Sequence, residues 1–134
     1  MTRDELIAAL RATSEGSRKL DFWCWWYGIS TEAERPIPYQ PDEDYVLNKM
    51  AWWYDENGPS RSVDWALRMI PEGWFLWMLR EMRKPRIYRG DRYEPLGRYE
   101  CDLQLVDGGG KLQHGEAATP ALAICVAALE ARKL

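Results

Sequence analysis

"TPALAICVAALEAR" (Thr119 to Arg132) decides how the rest of this chain must be arranged. Thr119 is a good N-cap, and Pro120 suits the first helical position because the N–H it lacks would have no partner there anyway. Arg132 and Lys133 stand where the dipole of such a helix is negative. Between these ends, Ala121 to Ala131 is almost wholly apolar and rich in alanine, with no face to offer water. A helix of that kind belongs in the middle of a domain, packed closely against a sheet.

The segments before it supply that sheet. Tyr99, Cys101, Leu103 and Leu105 alternate with Glu100, Asp102 and Gln104, which predicts a strand with one wet face. "WFLWMLREM" (Trp74 to Met82) reads as a second strand, apolar on both sides and hence covered on both. "DGGGK" (Asp107 to Lys111) is a flexible connection; it lacks the Gly-x-x-x-x-Gly-Lys-Ser/Thr frame of a phosphate loop.

Further out lie three amphipathic pieces. Thr2 and Glu5 form a capping box for a helix from Arg3 to about Thr13, with Leu6, Ile7 and Leu10 on one side. Ser17 caps a second helix whose inner stripe is Leu20, Trp23, Cys24 and Tyr27, with Phe22, Trp25 and Trp26 on the opposite side. Ser62 caps a third, with Val63, Ala66, Leu67 and Ile70 inward and Trp65 and Met69 outward, before Pro71 and Gly73 end it. Residues 29–59 form a long insertion punctuated by Pro36, Pro38, Pro41 and Pro59, with one short helix predicted from Asp42 through Val46, Met50 and Trp53. The expected fold is α+β: a single domain with a small antiparallel β-sheet packed by helices in an α-β-α sandwich-like arrangement.

Composition narrows the function classes. A chain of 134 residues with 46% hydrophobic and 29% charged residues can bury one core unaided. Its net charge of -3 and pI near 5.3 suit neither a generic nucleic-acid binder nor a DNA mimic. Three scattered cysteines, Cys24, Cys101 and Cys125, read as reduced, separate, buried thiols of a cytoplasmic protein. No apolar run reaches membrane-spanning length, and the first residues do not form a signal peptide. The eight tryptophans are the unusual feature: a large ring surface that must be buried inside the fold or against a partner.

The order "RSVDWALRMIPEGW" (Arg61 to Trp74), a strand, then "EAATPALAICVAALEAR" (Glu116 to Arg132) resembles the phage ABA sandwich domain family of small phage and prophage proteins. "LDFWCWWYGI" (Leu20 to Ile29) sits where that family has a Leu-Asp helix. The resemblance touches about half of the chain and implies fold and a phage-related origin, with no reaction attached. Phe22, Trp25, Trp26 and Trp65 replace the small or simple aliphatic residues usual in the family.

Catalytic chemistry finds little footing. His114 is the only histidine and reads as a solvated residue of a Gly-rich loop, so no metal, cofactor or enzymatic activity is expected. Arg80, Arg83, Lys84, Arg86, Arg89 and Arg92, interleaved with Tyr88 and Tyr93, form a basic hairpin. It is either a solvated surface or a grip for the phosphates of a nucleotide or nucleic acid. The aromatic set Phe22, Trp25, Trp26, Trp52, Trp53 and Trp65 is either core covered by the 29–59 segment or a contact patch for a host protein. The second reading, joined to the family resemblance, gives the functional expectation. It is a phage-related protein-binding factor in the bacterial cytoplasm, acting as an inhibitor of a host defence system such as CRISPR; the alternative is nucleotide or nucleic-acid binding by the hairpin.

Overall fold

The computed structural model describes residues 1–30, 58–85 and 93–133, so the helix predicted between Asp42 and Trp53 lies outside it. In chain order the elements are α1 (Arg3–Ala12), α2 (Arg18–Gly28), α3 (Val63–Leu67), β1 (Trp74–Pro85), β2 (Tyr93–Leu105), β3 (Leu112–Ala117) and α4 (Pro120–Ala131). The strands form one antiparallel sheet in the order β1-β2-β3. The α+β class expected from the sequence is the class observed.

Each helix starts where a short polar side chain can answer a backbone N–H three residues on. Thr2 Oγ1 accepts from Glu5 N at 3.1 Å, Ser17 Oγ from Leu20 N at 3.2 Å, Ser62 Oγ from Trp65 N at 3.4 Å, and Thr119 Oγ1 from Leu122 N at 3.2 Å. At Thr2 the capping box closes, since Glu5 also accepts from Thr2 N.

α4 is the central element. Every residue from Ala121 to Leu129 is buried, and the helix packs on β2 and β3 while α1 and α3 cover its flanks. Its approach to β3 is backbone against backbone: a Cβ on Gly115 would lie 2.5 Å from both Ala123 O and Ala127 N. Alanine on the helix and glycine on the strand make this closeness sterically feasible.

Beyond its exposed first turn at Arg18 and Lys19, α2 is buried from Leu20 to Trp26, Asp21 included. Phe22, Trp25 and Trp26 are not an outer set but join Leu20, Trp23 and Cys24 in the core, with Phe22 edge-on to Trp23 at 4.9 Å between centroids. Asp21, fully buried, accepts from Ser60 N at 2.8 Å, Ser60 Oγ at 2.6 Å and Arg61 Nε at 2.6 Å. Three donors compensate the desolvation of this carboxylate and tie residues 60 and 61 to α2. Gly58 has no side chain because one would run into that of Asp21. At the other end of α2, Arg132 donates to Gly28 O and, through Nη2 at 3.1 Å, to Met69 O, so one guanidinium caps two chain reversals.

Three further expectations are corrected. In and just after α3 the buried residues are Ala66 and Met69, whereas Val63 and Leu67 are exposed. Beyond Leu67 the backbone tightens to bonds between residues three apart (Arg68 N to Trp65 O, Met69 N to Ala66 O), so Met69 falls beneath Ala66. In β1 one side is open, as described below. Among the thiols, all three are free and buried, but Cys24 and Cys125 are hydrogen-bonding neighbours, not separate. Burial pushes the Cys24 thiol well above its usual pKa and that of Cys101 up to about 12.

Candidate functional site

Paired residues of an antiparallel sheet share a face, so the register sorts the strands. Cys101 and Leu103 of β2, with Gly115 and Ala117 of β3, lie on the buried side under α4. The opposite side therefore carries three rows: Phe75–Gln104–Leu112, Met78–Asp102–His114 and Arg80–Glu100–Glu116. Trp77 stands at an irregularity between Leu76 and Met78, where β1 holds one residue more than β2. Two residues beyond Phe75, Trp77 lies beside it, with ring centroids 6.3 Å apart and edge-on.

The result is a face divided in two. At one end Trp77 is 61% exposed and Leu112 46%, with Phe75 also exposed. At the other end the rows are charged. His114 Nδ1 lies 2.7 Å from Asp102 Oδ1, and Nε2 lies 3.0 Å from Glu116 Oε1 and 4.0 Å from Glu100 Oε2. Arg80 Nε donates to the other oxygen of Glu100, Oε1. Burial works against a charged imidazole, yet the hydrogen bonds to Glu116 and Asp102 outweigh it and raise the His114 pKa above its ordinary value. One donor atom each from Glu100, His114 and Glu116 lies within 4.8 Å of the others, a spacing that a metal ion could bridge.

The residues singled out from the sequence are distributed otherwise. Phe22, Trp25 and Trp26 are inside, and Trp65 is half-buried against the core with the Arg68 guanidinium 4.2 Å from its ring centroid. Trp52 and Trp53 lie outside the described residues. Its described members, Phe22, Trp25, Trp26 and Trp65, are thus not assembled as an exposed patch. Of the basic run, Arg80 is engaged by Glu100 and Arg83 is exposed, and both border an open depression of 660 Å³ with Glu81, Met82 and Glu100. Arg86, Arg89, Arg92 and the side chain of Lys84 lie outside the described set. His114 is exposed, as expected, but it is a member of β3, not of a loop, with carboxylates at both ring nitrogens.

Phe75 and Trp77 were missed because β1 reads as apolar throughout, and Leu112 because β3 gave no strand pattern to read. The available signal was in β2: a sheet has only two sides, so the wet face given by Glu100, Asp102 and Gln104 obliges part of β1 to be wet as well. Comparison with protein-family models, curated proteins and solved structures finds no match for the chain. Among the described residues no helix is long and apolar enough to cross a membrane.

Proposed function

We propose that the chain is a protein-binding factor whose open sheet face, not α2, is the contact surface. Its partner presents an apolar patch beside a lysine or arginine. The observation that carries this reading is Trp77, an indole 61% exposed beside Phe75, whose row across the sheet ends in Leu112. Exposing such a ring costs solvation free energy that burial against a partner recovers, and tryptophan is the residue most enriched at interface hot spots. Glu100, Asp102 and Glu116 outnumber Arg80 on the adjoining rows, which favours a basic neighbour and disfavours phosphate on this face. The resemblance to small phage proteins supports a bacterial host protein as that partner, with inhibition of a host defence system such as CRISPR as the biological role.

The test is capture from bacterial lysate with parent, Trp77→Ala and Phe75→Ala proteins, followed by hydrogen exchange on the purified complex. The reading requires that capture fall sharply in Trp77→Ala while its melting curve overlays the parent, and that β1 become protected. Equal capture by parent and variant, or self-association of the chain through Trp77, would sink it.

A further inference from the structure

The structure assigns a second capability to the charged end of this face: Glu100, His114 and Glu116 form a binding site for one divalent transition-metal ion of the zinc class. The inference does not depend on the partner reading, since it is tested on the isolated chain, although it uses the carboxylates of the rows that adjoin the apolar contact.

Three observations converge. First, Glu100 and Glu116 are direct cross-strand partners on one face, an arrangement in which like charges repel. Arg80 and the His114 ring offset part of that repulsion, a dication would offset more, and the donor atoms of the three residues already lie within 4.8 Å of one another. Secondly, the imidazole is aimed. Asp102 Oδ1, 2.7 Å from Nδ1, accepts the Nδ1 proton and so directs Nε2 toward Glu116 Oε1 at 3.0 Å and Glu100 Oε2 at 4.0 Å. A carboxylate behind a histidine that faces two further ligands is the arrangement that fixes the tautomer in zinc sites and raises the basicity of the ligating nitrogen. Thirdly, Arg80 holds Glu100 by Oε1 and leaves Oε2 for the ion.

The dimensions fit. Zinc bonds to nitrogen and oxygen of about 2.0 to 2.2 Å in a tetrahedron separate ligand atoms by roughly 3.3 to 3.6 Å. The present 3.0 and 4.0 Å bracket that range, so small rotations of Glu100 and Glu116 complete the set. Two carboxylates balance the dication, and the imidazole selects zinc, cobalt or nickel over magnesium and calcium, which prefer oxygen alone. As the ion arrives, any proton on Nε2 passes to solvent. The exposed side of the face leaves a coordination position for water or for a donor from another molecule.

The experiment uses tag-free, chelator-treated protein near neutral pH, titrated calorimetrically with Zn²⁺ and spectroscopically with Co²⁺. Expected are one ion per chain at micromolar affinity and the strong visible bands of four-coordinate Co²⁺. Asp102→Asn should weaken affinity about 10- to 100-fold, as loss of such a support does elsewhere. His114→Ala and Glu116→Gln should weaken it at least as much, with melting curves of the metal-free variants showing that each is folded. His114→Gln serves should the alanine variant fail to fold. No binding at submillimolar Zn²⁺, binding of Mg²⁺ as tight as Zn²⁺, or affinity unchanged in a folded His114 variant would each overturn the assignment.

Discussion

Replacing Gly115 by alanine isolates the closest contact in the core. The backbone there is not left-handed, so the added methyl acts only through the space it fills. It would meet Ala123 O and Ala127 N at 2.5 Å, whereas ordinary contact begins at 3.4 Å, so about 0.9 Å of clearance must open. Both obstructing atoms are helix backbone and cannot rotate away, and α4 is buried along its length, so moving it loosens packing on its far side too. Overpacking costs about 1 to 3 kcal/mol, and this site belongs at the upper end. Against that, alanine restricts the unfolded chain and returns roughly 0.4 to 1 kcal/mol. The net expectation is a loss of about 2 kcal/mol, read from urea unfolding curves at constant slope. Gly110→Ala is the control: its φ of 87° makes alanine strained, but nothing lies within 4 Å of the new Cβ. It should cost about 1 kcal/mol through conformation alone. A Gly115→Ala protein as stable as the parent would refute the backbone-to-backbone packing of β3 on α4.

Two other outcomes follow from the same core. Trp26→Ala and Trp23→Ala, each removing a buried ring of α2, should lose about 3 to 5 kcal/mol in denaturant titrations; a Trp26→Ala protein as stable as the parent would return that ring to the surface. For the cysteines, burial and the raised pKa of Cys24 and Cys101 keep both thiols protonated at mildly alkaline pH, so their reactive thiolate is scarce as well as shielded. A colorimetric thiol reagent should therefore label none of the three rapidly in the native protein and all three after unfolding, and a fast native thiol would show that part of this core opens.

What the sequence revealed tracks the distance over which each feature is determined. The caps at Thr2, Ser17, Ser62 and Thr119 involve residues three apart, and all four were legible. The central position of α4 followed from its composition, because no other place accepts so apolar a helix. β3 was not legible. Its inward residues Gly115 and Ala117 are small because α4 presses on them, so they give no hydrophobic alternation to read. That omission hid the site as well. His114 joins Asp102 and Glu100 only through the pairing of β3 with β2, a register that no local spacing encodes. At Met69 the α3 stripe failed for a geometric reason, since the backbone tightens after Leu67 and no longer advances at 100° per residue.

The position of α4 in the chain also governs how this protein comes into being. The segment that every layer packs against is, among the described elements, the last to be synthesised. At about 5 to 20 residues per second, α1 and α2 wait on the order of 5 to 20 s after translation before their binding surface exists. During that interval the inner faces of the sheet and the flanks of α1 and α3 have no α4 to cover them. Burial of these surfaces therefore waits for residues 120–131, and a ribosome pausing shortly before them would hold a chain open to chaperones, proteases and aggregation.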